Sequence, residues 1–197
     1  KQRTKTSPMG TVEQPINPLC VAIASEATFV ARAFDADTEH LAYVLERAAR
    51  HKGVSFVEVY QNCLVFNDGA FKEFTAKALR PDNVLYLEHG KPMIFGKEKN
   101  KGIVSDAAVP RVATIGEDGV TEKDVWVHDE SPRSAALAYM LTQMHFPEFP
   151  VRVGVFRAVE RPTYEDMVHA QISDSREELG RGTLEKLFSE GETWEVE

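Results

Sequence analysis

Cysteine is scarce: Cys20 and Cys63 are the only two in 197 residues, too few for a disulfide framework. No apolar run approaches the ~20 residues of a membrane-spanning helix. No signal-peptide apolar region or amphipathic transit segment is present, so a cytoplasmic location is the default expectation. Neither a dinucleotide fingerprint nor a P-loop can be written anywhere along the chain. The six histidines, His40, His51, His89, His128, His145 and His169, are scattered, with no pair at zinc-ligand spacing. Internal repeats and low-complexity tracts are absent. Basic residues are in deficit, 23 Lys and Arg against 31 Asp and Glu for a net charge of −8. That excludes nucleic acid or an anionic membrane as the main partner. An initiating methionine is also missing: the chain opens Lys1-Gln2-Arg3-Thr4, as though in mid-sequence. What is present, 27 % charged and 43 % hydrophobic residues, is the composition of a folded globular chain rather than a disordered one.

The periodicity predicts an α/β fold. Residues 1–18 are polar and broken by Pro8, Gly10, Pro15 and Pro18, and are expected to form a loop or arm. Leu19 to Ser25 is expected to be a short helix with Cys20 in the core, leading into a strand at 28–32. Asp37 is suited to cap a helix whose apolar positions are Leu41, Val44, Leu45 and Ala48, ended by Gly53. Val54–Tyr60, rich in β-branched and aromatic residues, predicts a strand. Strand, helix, strand in this order is a βαβ unit with parallel strands. Beyond it, a helical segment is expected around Phe71 to Leu79 and short strands at 83–88, 92–95, 110–115 and 124–128. Ser131 with Pro132 predicts the start of a helix with Leu137, Met140, Leu141 and Met144 on its apolar face. A strand at 151–156, a helix opening at Thr163 and a short helix at Leu184 to Phe188 complete the pattern, and Trp194 lies in an acidic tail.

The catalytic inventory is thin. Ser25 and Ser105 lack a nucleophile-elbow context, and the carboxylates of amphipathic helices are expected to be solvated surface. His40 and His51, at or near helix ends, and His145, in a last turn, suit capping or surface roles. Cys63 stands apart because it lies just past the carboxyl end of the strand 54–60, where ligands gather in open α/β sheets. A lone cysteine there is open to three roles: nucleophile, metal ligand or inert buried residue. Composition alone favours the inert role, since free cysteine is among the most buried residue types. Lys91, Lys97, Lys99 and Lys101 form a local basic stretch in an acidic chain, with a solvated loop as the plainer role.

The block Gln61-Asn62-Cys63-Leu64-Val65-Phe66-Asn67-Asp68-Gly69, following His51 to Val59, resembles the β subunit of 2-oxoacid:ferredoxin oxidoreductases, and within them the 2-oxoglutarate branch. Residues 5–10, 15–19, 27–32, 127–130 and 154–162 resemble further parts of the same subunit, so the resemblance covers nearly the whole chain. It implies a thiamine diphosphate-binding fold: a mainly parallel sheet flanked by helices in residues 1–80, carrying the cluster-ligand loop, and a C-terminal extension in 81–197. The family's CxxC region and Gly-Asp-Gly motif, which serve the cluster, Mg²⁺ and thiamine diphosphate, are not in this sequence. The chain is therefore expected to be the C-terminal portion of such a subunit, with its catalytic residues in the other portion.

By the same resemblance, Cys63 matches the fourth cysteine ligand of a 4Fe–4S cluster, the other three being supplied by the N-terminal portion. Asn62, Phe66 and Asn67 are expected beside the cluster, as amide donors to its sulfurs and as an aromatic wall against water; a well-packed turn is the structural alternative. Thr6, Ser7 and Pro8 are expected at the thiamine and substrate mouth, or as an exposed arm. The activity implied is oxidative decarboxylation of 2-oxoglutarate to succinyl-CoA and CO₂, with electrons passing through the cluster to ferredoxin and coenzyme A as co-substrate. Implied partners are an α subunit in an α2β2 assembly and ferredoxin, with the lysines at 91–101 as a docking surface for the latter. Pyruvate or another 2-oxoacid as substrate, and a non-catalytic interaction subunit that keeps the fold, are the alternatives.

Overall fold

A computed structural model describes residues 3, 6–107, 109–192 and 194. Lys5, the first residue of the resembling stretch 5–10, lies outside the described residues, as do Lys1 and Gln2. The chain forms two compact units, divided between Glu160 and Arg161. The family resemblance expects a division at residue 80 as well, between the end of a thiamine diphosphate-binding domain and a C-terminal extension.

In the first unit, α1 (Pro18–Ala24) is opened by Asn17, whose side chain accepts from the Cys20 amide. It leads into β1 (Phe29–Phe34), buried along its whole length. The Asp37 carboxylate accepts from the His40 amide and caps α2 (Thr38–Arg50), which is followed by β2 (Ser55–Tyr60). β1 and β2 pair in parallel, from Phe29 opposite Ser55 to Phe34 opposite Tyr60, as the βαβ pattern requires. Alternate residues of β1 serve two cores, as the period of two dictates. Phe29, Ala31 and Ala33 pack with Val44 of α2 and Val155, whereas Val30 joins Leu19, Ile23, Leu85 and Phe156. Leu45, expected on the buried face, is exposed.

Short helices α3 (Lys72–Thr75) and α4 (Arg80–Asn83) replace the single helical segment expected around 71–79 and lead into β3 (Val84–Leu87). A small antiparallel sheet follows, β4 (Ile94–Phe95), β5 (Lys101–Asp106) and β6 (Val109–Thr114). Residues 124–128 do not form the expected strand. A 3₁₀ turn (Glu122–Asp124) and one isolated bridge, Pro92 to Val127, occupy that stretch.

The helix expected from Ser131 starts later, as α5 (Ala136–Gln143). Asp129 captures the Ser131 amide and hydroxyl in a tight turn, and the Arg157 guanidinium takes the Pro132 and Arg133 carbonyls. Of the helix's expected apolar face, Leu141 and Met144 are buried and Leu137 packs against the core, while Met140 is half-buried and Ala138 and Thr142 join the buried side. The last strand, β7 (Val151–Ala158), lies between β1 and β3 in the order β2-β1-β7-β3. It is parallel to β3 but antiparallel to β1. The larger sheet is thus mixed but mainly parallel, with two of its three pairings parallel, as the family resemblance implies, and the β1–β7 pairing is the antiparallel exception.

The second unit holds α6 (Tyr164–Leu179), capped by the Thr163 hydroxyl, and α7 (Leu184–Ser189), capped by Thr183. Among the described residues, no helix is long and apolar enough to cross a membrane.

One ion pair ties α2 to the strand edge. The Arg47 guanidinium grips Glu130 bidentately, at 2.9 and 2.6 Å, and the Glu130 carbonyl accepts from the Ala158 amide at the end of β7. Hydrogen bonding to Glu130 raises the Arg47 pKa against the opposing effect of burial. Glu130 is 8 % exposed, so removing its partner leaves a nearly buried charge uncompensated. Arg47→Met is expected to lower stability by roughly 2–3 kcal/mol, read as a shift of the urea midpoint at unchanged m value.

His128 is fully buried and Nε2 donates to the Val155 carbonyl over 2.7 Å. Burial, the dominant influence, lowers its pKa below 6.5, and burial does the same to His40. Their folded pKa values thus lie below the unfolded value, so the unfolded chain binds more protons as the pH falls. The stability contributed by the neutral imidazoles is complete above pH 6.5 and is lost as the pH drops through the folded values. Thermal melts from pH 7 to pH 5 are expected to show this loss, at most about 1.4 kcal/mol per pH unit for each histidine, and His128→Gln is expected to make it shallower.

Candidate functional site

The turn after β1 is the anchor of the site. Asp37 caps α2 and also accepts from the Tyr86 hydroxyl at 2.6 Å and Arg80 Nη1 at 3.1 Å. Burial alone would raise the Asp37 pKa, but the Tyr86 and His40 hydrogen bonds and the Arg80 charge hold it below the usual carboxylate value. Arg80 Nη2 donates to the Thr75 and Ala36 carbonyls, pinning this turn to the α3–α4 segment. Two residues earlier, Asp35 Oδ2 accepts from the Asn62 amide at 3.3 Å. The turn after β1 thereby holds the loop after β2.

That loop carries Cys63. Asn62 closes it from inside: Nδ2 donates to Asp68 Oδ1 and Oδ1 accepts from the Gly69 amide, each at 2.9 Å. The Asn67 amide donates to the Cys63 carbonyl at 2.9 Å, and the two residues form an isolated antiparallel bridge. The Cys63 side chain is exposed, contrary to the buried default suggested by composition. Its thiol pKa is lowered, chiefly by the neighbouring backbone of Phe66 and then of Val65. That environment favours the thiolate, the form that binds metal and attacks electrophiles. Iodoacetamide at neutral pH is expected to label Cys63 well before Cys20 in metal-free protein, with peptide mass spectrometry as the readout.

Leu64, Val65 and Phe66 point into solvent, at 77, 63 and 57 % exposure. Three consecutive large apolar side chains left outside are an unpartnered surface patch. Beside the loop, at the carboxyl ends of β1 and β2, lies a polar cavity of about 750 Å³ lined by Asp35, Asn62, Asp68, Phe71 and Lys72.

The other expected site residues are placed as follows. Thr6 and Pro8 are exposed and Ser7 half-buried in a turn, with the Gly10 amide donating to the Ser7 carbonyl. Asn67 is half-buried, and the Asn62 amide group is occupied within its own loop. Lys91, Lys97 and Lys99 line a separate cavity of about 700 Å³. Lys91 pairs with Glu88, and Lys101 with Asp82 at 3.5 Å. Cys20 is half-buried rather than in the core, its sulfur 2.8 Å from both Thr142 Oγ1 and Gln143 Nε2. Asp35, which holds the loop, and the closing roles of Asp68 and Gly69 are not among the expected site residues. Their signal was local: an acid directly after a buried strand, and an Asp-Gly turn six residues beyond an asparagine.

Over 197 residues, 98 % of this chain, the sequence is 34 % identical to 2-oxoglutarate oxidoreductase subunit KorB of Mycobacterium tuberculosis, covering 52 % of that protein. The chain is homologous to the β subunits of 2-oxoacid:ferredoxin oxidoreductases. It spans about half the length of that KorB. A shorter match, 39 % identical over 75 residues, relates 38 % of the chain to 25 % of the 2-oxoacid:ferredoxin oxidoreductase β subunit of Saccharolobus solfataricus. The fold is shared with 2-oxoglutarate:ferredoxin oxidoreductase from Magnetococcus marinus, solved with 2-oxoglutarate, coenzyme A and succinyl-CoA bound. That likeness has a TM-score of 0.58 at 21 % identity and covers 98 % of this chain and 50 % of that one. No family model matches.

Whether a KorB-like chain can hold the cofactors of a 2-oxoacid:ferredoxin oxidoreductase differs from group to group. Cys63 suits an iron–sulfur ligand: an accessible sulfur with a lowered pKa, at the crevice end of the sheet. Among the described residues, no group of three or more His, Cys, Asp or Glu is placed to hold a metal ion.

Proposed function

We propose that this chain is a portion of the β subunit of a 2-oxoglutarate:ferredoxin oxidoreductase and that Cys63 is one of the four cysteine ligands of its 4Fe–4S cluster. The observation that carries the proposal is the Cys63 loop, a stretch matched to the β-subunit family that holds an exposed thiolate-favouring sulfur beyond the carboxyl end of β2. The overall reaction converts 2-oxoglutarate, coenzyme A and two oxidised ferredoxins into succinyl-CoA, CO₂, a proton and two reduced ferredoxins. The cluster, when bound, supplies one-electron transfer between the site of decarboxylation and ferredoxin.

This chain's own part is positioning. Asn62 closes the ligand loop, and Asp35 fixes it to the turn that Asp37, Tyr86 and Arg80 hold. The neighbouring backbone of Phe66 and Val65 stabilises the negative charge on Cys63. Leu64, Val65 and Phe66 form a water-excluding wall once the remaining portion of the subunit covers them. That portion supplies three further cysteines, Mg²⁺ and thiamine diphosphate binding, and the catalytic residues, while Thr6, Ser7 and Pro8 border the mouth.

The proposal takes residues 1–80 as the end of the thiamine diphosphate-binding fold and 81–197 as an extension. An α subunit in an α2β2 assembly and cytoplasmic ferredoxin are the partners, with Lys91, Lys97 and Lys99 facing the latter. The choice of 2-oxoglutarate over pyruvate is supported by the 34 % identity to the KorB named for that substrate.

The test is a substrate panel on the purified complex that contains this chain, following ferredoxin reduction with coenzyme A present. Turnover dependent on 2-oxoglutarate, with kcat/KM at least about tenfold above pyruvate, is expected. A colourless preparation that turns over no 2-oxoacid overturns the proposal in favour of a non-catalytic subunit.

A further inference from the structure

Arg152 is a buried cation without an anion. It sits at the second position of β7, 3 % exposed. One of its five N–H donors is used, Nη1 giving a 2.8 Å bond to the Pro150 carbonyl, while buried Nε has no partner. No carboxylate among the described residues lies within ion-pair distance of it. Burial above all, and then the Arg32 charge, pull its pKa down to about 9. Protein interiors seldom leave a guanidinium in this condition, because removing it from water costs several kcal/mol that only a paired charge recovers.

The surroundings say what is missing. Arg152 lines a cavity of about 280 Å³ with Arg32, Glu58, Tyr60, Phe74 and His145. Arg32, 5 % exposed, lies across the sheet on β1, its Nε 2.6 Å from Glu58 Oε2 on β2. Its guanidinium carbon stands 4.8 Å from the centroid of the Tyr60 ring and 5.6 Å from that of Phe156. Two guanidiniums thus face one carboxylate, and the pocket carries one uncompensated positive charge. Phe74, with the neighbouring Tyr60 ring, gives it an aromatic wall. The start of antiparallel β7 lies beside the end of β1, since Arg32 is in register with Gly154. The cavity therefore opens at the carboxyl end of β1 and β2, where α/β sheets place ligands. A planar guanidinium with free N–H groups matches an oxyanion in geometry as well as charge.

We propose that the Arg32–Glu58–Arg152 cavity is a binding site for a small oxyanion, a carboxylate or a phosphate, held by Arg152 and oriented by Arg32. Glu58 fixes Arg32 but also repels the ligand, so its charge sets the affinity. The site is independent of the Cys63 proposal, since nothing in it refers to the cluster loop or to ferredoxin.

The test titrates acetate and inorganic phosphate separately into the intact protein that contains this chain, at constant ionic strength made up with chloride. Isothermal calorimetry and the shift in Tm are the readouts. Saturable binding on the order of millimolar is expected for at least one anion, and the two arms tell carboxylate from phosphate. Glu58→Gln is expected to bind that anion about tenfold more tightly, by removing the repelling charge. Arg152→Lys is expected to weaken it about tenfold, by losing the planar fork. If Arg152→Lys fails to fold, Glu58→Gln alone decides. Absence of saturable binding to the wild-type protein, or an unchanged affinity in any variant that folds, overturns the proposal.

Discussion

Cys63→Ala is expected to reduce 2-oxoacid-dependent ferredoxin reduction to background while leaving far-UV circular dichroism unchanged. The two halves of this expectation have separate causes. Cys63 is exposed, so truncating it opens no cavity, and the bonds from Asn62 to Asp68, Gly69 and Asp35 still hold the loop. Under the proposed assignment activity depends on the sulfur itself, because a 4Fe–4S cluster is held by four thiolates. Cys20 offers no substitute: its sulfur is half-buried and bonded to Thr142 and Gln143 on α5. Cys63→Ser provides a graded control, since it keeps a side-chain donor atom, an oxygen, at the same place. Wild-type ferredoxin reduction by Cys63→Ala would remove Cys63 from the electron path.

Gly154→Ala is expected to be the most destabilising single-methyl change in the first unit, at about 3–5 kcal/mol, lowering Tm by roughly 10–15 °C. Gly154 lies in the middle of β7, between β1 and β3, with φ of 110°. That backbone conformation is open to glycine but strained for residues with a Cβ. A Cβ there would stand 2.6 Å from the Leu87 carbonyl oxygen and 3.2 Å from the Leu87 Cβ. Backbone on a paired strand cannot swing away as a flexible side chain can. The register between β1 and β7 shifts nearby, between Val30 and Ala31, so the strain falls where the mixed sheet changes direction. A Tm within about 2 °C of wild type, measured by calorimetry, would contradict this account of the β7 position.

The parts of the fold that could be read from the sequence are those governed by local rules. Asp37 as a cap, the amphipathic α2, the β-branched β2 and the Thr163 cap each follow from a few neighbouring residues, and each is present. The departures have tertiary causes. Ser131-Pro132 has the residues of a helix start, but Asp129 and Arg157 compete for the same polar groups, and the helix begins at Ala136. β5 went unread because Gly102 and its lysine neighbours break the alternation, although pairing with β6 supplies the strand. The antiparallel insertion of β7 beside β1 is a choice among sheet partners that no local pattern records.

The candidate site divides in the same way. The place of Cys63 beyond a strand end was visible, as was its match to the β-subunit family. The exposure of its sulfur, and the tie from Asn62 to Asp35 across 27 positions, exist only once the loop is folded. Arg152 gave no signal at all. An arginine in a strand is unremarkable until the structure leaves it buried with no carboxylate within ion-pair distance.

The central claim, that this chain contributes one ligand to an iron–sulfur cluster, is tested most directly by iron. The measurement is iron and acid-labile sulfide per subunit, with electron paramagnetic resonance of the reduced protein, on the intact complex and on Cys63→Ala prepared in parallel. The account predicts about four irons and four sulfides in the wild type, a reduced-cluster signal, and loss of both stoichiometry and signal in the variant. A wild-type complex without iron, or a variant with the same iron content and the same signal, would contradict it.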